Sequence, residues 1–193
     1  MPALLRHSHV SVDDYLAGET DSSIKHEYLG GVVHAMAGAT NRHNRIASNA
    51  LATLIGNLRG HPCEAFNSDT KVRIELINQT RFYYPDAMVV CQKSKDSEHF
   101  QQWPAVIVEV LSESTRRADL QEKKEAYLTI PSLKFLILVE PDEPILVIYR
   151  RSPDGGFFKE DYAGLDAVVP LPEIEMELKV SEIYDRLDFP ATD

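Results

Sequence analysis

The seven residues Ala105–Leu111, AVIVEVL, constrain the fold more than any other stretch of the chain. Six are apolar, and an unbroken apolar run of this length suits a central strand buried on both faces. The seventh is Glu109. Burying a carboxylate with no partner is costly even after its surroundings relax, so a metal, a cation or a proton has to neutralise it.

The rest of the chain supplies a sheet for this strand and cover for its faces. Ser11, followed by Val12, Asp13 and Asp14, predicts a short helix with a capping oxygen and acids in its first turn, stopping near Gly18. His26–Met36, HEYLGGVVHAM, reads as a hairpin about Gly30-Gly31. Thr40 caps a predicted helix over Asn41–Leu58, with Ile46, Ala50, Leu51, Leu54, Ile55 and Leu58 on its buried face. In Thr70–Ile77, Val72, Ile74 and Leu76 alternate with Lys71, Arg73 and Glu75, as in a strand. Phe82–Cys91 reads as one strand and Leu133–Val139 as another. Ile145–Tyr149 and Phe157–Tyr162 read as a hairpin about SPDGG. Ser114 or Thr115 caps a predicted helix from about Arg117 to Thr129, which Pro131 stops, and Leu178–Leu187 predicts a closing helix. This order predicts a single α/β domain over residues 1–193, with a mixed central β-sheet flanked by α-helices.

Three residues in this frame have the makings of a hydrolytic site. Asp86 follows Pro85 in YYPDAMVV, Glu109 interrupts its apolar strand, and Lys123 lies on the next helix, in RADLQEKKEAY. Two carboxylates bind a hard cation such as Mg²⁺ or Mn²⁺ through oxygen and leave water positions open. The cation polarises a phosphoryl oxygen and acidifies a bound water, and an ammonium group stabilises developing negative charge. Each residue alone has a plainer reading: a turn acid after proline, a strand-end salt bridge, a solvated helix lysine. Their order, acid, acid and then basic helix, favours the joint reading. Asp119, Lys123 and Tyr127 are spaced by four and share a helical stripe, whereas Lys124 points about 100° away.

The formal charge is −10, which argues against a nucleic-acid binder that relies on bulk positive charge, though not against an acidic metal site with one basic face. No stretch reaches the length of a transmembrane helix and the N-terminus lacks a secretory core, so the expectation is a cytoplasmic protein with no membrane partner. Cys63 and Cys91 lack ligand spacing and read as two free thiols.

These motifs resemble the Uma-type restriction endonuclease family. The likeness runs through HEYLGGVVHAM, RHNRI, NSDTKVRI and YYPDAMVV to PAVIVEVLSESTRRADLQEKKEAYLTIPSLKFLILV and LDAVVPLPEIEMEL, nearly the whole chain. The resemblance implies a restriction-endonuclease-like core of the PD-(D/E)XK type, with Asp86 and Glu109 as metal-binding acids. It also implies that the usual lysine, displaced by Leu111 two residues after the glutamate, is supplied by Lys123. Glu27, His43 and Asp69 match recurrent family positions near the site. The chain departs from the family's frequent Asp-Gly-Glu in having Gly30-Gly31-Val32, so any role of that further acid is missing.

The expected activity is Mg²⁺-dependent hydrolysis of nucleic-acid phosphodiesters, chiefly DNA. Lys71, Arg73, Arg116 and Arg117 are the candidate phosphate contacts, and a homodimer would suit cutting of both strands. The alternative is a nuclease-fold protein that binds nucleic acid or a protein partner without cutting. A glycosidase reading would need both acids but not Lys123.

Overall fold

The computed structural model describes residues 9–92, 94–95, 98–112 and 119–189. Helix α1 (Val12–Asp21) is capped by Ser11, whose side chain accepts the Asp14 N–H. It runs past the expected stop at Gly18, since one glycine weakens a helix without ending it. The hairpin follows as β1 (His26–Leu29) and β2 (Val32–Ala35), with both turn glycines at positive φ. Helix α2 (Asn41–Asn57) starts at Thr40 and buries Ile46, Ala50 and Leu54, while Ile55, expected on that face, is exposed.

Strands β3 (Glu64–Asn67), β4 (Lys71–Leu76), β5 (Gln79–Tyr83), β6 (Ala87–Val90), β7 (Phe100–Gln101) and β8 (Pro104–Val110) come next. The expected strand Phe82–Cys91 is in fact two, β5 and β6, in different sheets. Pro85 lies between them, and a residue without an N–H cannot carry a ladder onward. After β8 come a π-helical turn (Asp119–Lys123) and helix α3 (Lys124–Leu128). The remaining strands are β9 (Phe135–Val139), β10 (Ile145–Arg151), β11 (Phe157–Ala163), β12 (Val168–Leu171) and β13 (Met176–Lys179), with helix α4 (Val180–Ile183) last. The expected helix Leu178–Leu187 is therefore corrected: Leu178 belongs to a strand that pairs with β12, and α4 is a single turn.

Among the described residues the strands divide into a five-stranded sheet (β2-β1-β5-β4-β7), a six-stranded sheet (β11-β10-β9-β8-β6-β3) and the β12–β13 ribbon. The α/β class with mixed pairing holds, but two main sheets replace the one central sheet expected. AVIVEVL occupies β8, interior in the six-stranded sheet, antiparallel to β6 and parallel to β9. Val106, Val108 and Val110 face α2 and the C-terminal segment, in one core with Ile46, Leu54, Leu178 and Ile183. Ile107 and Leu111 face the other way, in a second core with Ala126 and Tyr127 of α3 and with Val72, Ile74 and Tyr83 of the five-stranded sheet. Glu109 lies between those two residues, so its side chain is directed into the layer where helix α3 and both sheets meet.

The cysteine expectation is overturned. β3 pairs with β6 with Glu64 opposite Val90, which brings the flanking Cys63 and Cys91 side by side, and a disulfide joins them. Their sequence separation of 28 hides a cross-strand neighbour pair. No helix among the described residues is long and apolar enough to cross a membrane.

A cross-link closing a loop of this length restricts the unfolded chain by roughly 3.5 kcal/mol. Reduction with dithiothreitol is therefore expected to lower the urea midpoint, and Cys63→Ala is expected to reproduce the shift and abolish any further effect of the reductant. A midpoint indifferent to reductant would mean that the two thiols do not pair in solution.

Candidate active site

In the antiparallel pairing of β6 with β8, Ala87 is opposite Val108 and Met88 opposite Ile107. One further step along this register sets Asp86 across from Glu109, on the face they share with Met88 and Ile107. The Val110 N–H donates to Asp86 Oδ2 at 2.7 Å, which fastens the first acid to the strand that carries the second. The same oxygen lies 3.3 Å from His43 Nε2. His43 comes three residues before Ile46 on the buried stripe of α2, in the first turn of a helix whose cap, Thr40, accepts its N–H.

Glu109 is buried, and the Tyr127 hydroxyl donates to its Oε1 at 2.7 Å. Burial first, and then the neighbouring Glu109, raises the Tyr127 pKa well above the ordinary phenol value, so the hydroxyl remains a donor. Lys123 Nζ reaches the same Oε1 at 3.9 Å and Glu27 Oε1 at 2.7 Å. Glu27 comes from the other sheet: β1 pairs with β5 with Tyr28 opposite Phe82, so the next step sets Glu27 beside Tyr83. The Tyr83 ring lies 5.6 Å from Lys123 Nζ and packs edge-on against Tyr127. Its pKa is pushed up to about 12, chiefly by burial.

The structure thus brings together Asp86, Glu109, Lys123, Glu27 and His43 around a cleft of about 410 Å³ that Asp86, Glu109, His43 and Lys123 line. Lys124 leaves it, as the helical turn requires, and lies over the Tyr149 ring. Tyr127, placed on the Lys123 stripe by its spacing, proves to be a direct partner of Glu109 and fully buried. That four-residue spacing was the signal for it.

Other expected positions do not line this cleft. Asp69 is exposed and pairs with Lys25 at 2.6 Å, which lowers its pKa. Lys71 and Arg73 project from the opposite face of β4 to Val72 and Ile74: Arg73 pairs with Glu75 and stacks near Phe82 and Phe100, and Lys71 is buried beside Tyr84. Arg116 and Arg117 fall outside the described residues, as does the expected cap at Ser114 or Thr115.

The mixed sheets flanked by helices, with an acid just before β6 facing an acid on β8 and a lysine from the turn before α3, belong to a protein of restriction-endonuclease-like fold, as the match to a solved structure below bears out. The family model of Uma2, described as "Putative restriction endonuclease", matches residues 12–181, and the chain belongs to that family. It is similar to the Synechocystis protein slr1290, with 32% identity over 93% of this chain and 94% of that one. It is also similar to Synechocystis sll1609, with 32% identity over 66% of this chain and 72% of that one. In fold it is similar to a crystal structure from Anabaena variabilis described as "a putative nuclease belonging to DUF820", with a TM-score of 0.66 and 19% identity, covering 84% of this chain and 90% of that one.

Because Lys123 is buried between two carboxylates, Lys123→Met is expected to leave uncompensated charge and to destabilise the fold by about 3 kcal/mol or more. Adding Glu27→Gln should recover part of this loss, a coupling measurable by urea denaturation of the two single variants and the double variant. Strictly additive effects would show that Glu27 and Lys123 do not act as a pair.

Proposed function

We propose that this chain is a metal-dependent endonuclease that hydrolyses phosphodiesters of DNA. The observation that carries the reading is the convergence of Asp86, just before β6, and Glu109, on its partner β8, with Lys123 at one cleft. The donors suit a hard divalent ion. They are carboxylate oxygens, and the Asp86 side chain keeps 16% of its surface exposed beside the cleft. Among the described residues no group of three or more His, Cys, Asp or Glu could hold a metal, so two carboxylates would bind an ion that keeps several waters, as Mg²⁺ and Mn²⁺ do. Asp86 and Glu109 would hold it, and it would supply Lewis-acid polarisation of the phosphoryl oxygen and a more acidic water.

The protein groups divide the remaining work. Val110 N–H and His43 fix Asp86, and Tyr127 fixes the Glu109 carboxylate through Oε1. Glu27 anchors the Lys123 ammonium at the cleft wall, where it would offer N–H donors to a phosphoryl oxygen or to the attacking water as negative charge develops. Held rigidly, these groups need little rearrangement as the reaction proceeds. For cutting both strands we propose a homodimer that presents two such sites.

The test is plasmid cleavage with Mg²⁺ or Mn²⁺ and with a chelator. Wild-type protein is expected to cut only with the metal. Asp86→Asn and Glu109→Gln should abolish cutting, and Lys123→Met should lower the rate at least ~10²-fold, while Lys124→Met stays near normal. Cleavage that survives Glu109→Gln, or equal losses from the two lysine variants, would refute the assignment. Binding of DNA without cleavage by any preparation would point instead to a nuclease fold used for binding alone.

A further inference from the structure

Beside the cleft the described residues enclose a second recess of about 640 Å³, within the range that receives small ligands. Lys25 and Tyr84 border both spaces, so the recess adjoins the cleft. Lys71, the first residue of β4, lines it and is only 6% exposed. Its ammonium lies 5.1 Å from the centre of the Tyr84 ring and makes no hydrogen bond or ion pair among the described residues. Ser94 Oγ, on the same lining, is buried and likewise lacks a hydrogen-bond partner among them.

A buried ammonium without an ion pair is an unusual expense, and Lys71 shows it. Burial foremost, with the nearby Lys25 charge, holds its pKa below the ordinary lysine value against the opposing pull of Glu19. Two acids that line the recess are already engaged. Glu19 accepts the Tyr84 hydroxyl at 2.6 Å and pairs with His26 at 2.7 Å, while Asp69 pairs with Lys25. At the rim Lys95 and Glu98 carry opposite charges. Glu64 is a further acid of this mixed-charge lining, and an anion entering the recess would meet Lys71 as a buried ammonium on a wall that also offers a hydroxyl.

We propose that the recess is a phosphate-binding subsite in which Lys71 holds a phosphodiester of an unpaired nucleic-acid strand, next to the phosphodiester at the cleft. This rests on the nuclease reading for what the strand is, not for whether the subsite binds. A single or unwound strand can bend one phosphodiester into such a recess more readily than a duplex, whose phosphates follow a stiff outer ridge. Phosphate contacts of this kind position a strand without reading its sequence.

The experiment is fluorescence anisotropy with a labelled short oligothymidylate, in chelator so that nothing is cut, over a series of salt concentrations. Lys71→Met keeps the aliphatic stem, and it is expected to bind roughly fivefold more weakly and to lower the salt slope by about 0.7, the share of one single-strand phosphate. Lys159→Met, on the outer strand β11 and paired with Asp161, should match wild type. Affinity and slope unchanged in Lys71→Met would overturn the subsite, and so would an equal loss of affinity for a duplex of the same length. Should Lys71→Met fail to fold, lysine acetylation of the wild-type protein read by mass spectrometry decides the matter. Protection of Lys71 by oligothymidylate supports the proposal. Absence of protection, or equal protection by inorganic phosphate at the same concentration, overturns it. Neither arm reads cleavage, so an inactive enzyme with Lys71-dependent binding would remove the nuclease reading alone, and an active enzyme without it would remove the subsite alone.

Discussion

A carboxylate held inside a covered strand governs much of this molecule's organisation. Glu109 is surrounded by side chains whose positions make sense only as its neighbours. Tyr127 donates to Oε1 from α3, Lys123 approaches the same atom from the turn before that helix, and Glu27 steadies Lys123 from the other sheet. Buried charge is tolerated when it is paired and hydrogen-bonded, and removing one partner costs more than the pair contributes. The cluster is therefore bound up with folding: the groups that hold Glu109 can assemble only when two sheets and a helix have packed together.

The packing explains why the acids come from where they do. Pro85 ends the reach of β5 and the chain passes into the six-stranded sheet, so Tyr83 and Asp86, three residues apart, serve opposite walls of one layer. Tyr83 packs on Tyr127 and lies beside Lys123, while Asp86 bonds to the strand that carries Glu109. A shift of one sheet against the other would separate Glu27 from Lys123 without touching either acid on the far wall. The lysine position thus depends on the inter-sheet contact, and the two acids depend on β-pairing within a single sheet.

This difference also sets what could be read from the sequence. Glu109 announced itself because one charge in an apolar run is visible without any tertiary knowledge, and Asp86 followed from its place in the preceding run. Lys123 could be separated from Lys124 by helical geometry, and the structure puts only the former at the cleft. What stayed hidden depends on contacts between distant segments. The division of Phe82–Cys91 between two sheets, the pairing of Leu178 with β12 and the meeting of Cys63 with Cys91 are set by partners that local periodicity does not name. Asp69 and Lys71 matched a motif close to the site in sequence terms, and they line the recess beside the cleft, not the cleft itself, with Asp69 paired to Lys25.

The placement of positive charge bears on how so acidic a chain could handle a polyanion. With a formal charge of −10, long-range attraction would not draw nucleic acid to it, and encounter would be slower than for a basic nuclease. The ammonium groups that matter to the proposed reading, Lys123 and Lys71, are both buried and face adjoining spaces instead of open solvent. Charges placed this way act only on a phosphate that has already entered, where the low local dielectric strengthens the contact. Such a protein would gain little from random collision with duplex DNA and much from a strand shaped to enter. On that reading, selectivity for local strand structure would follow from the burial of the two ammonium groups, without any base being read.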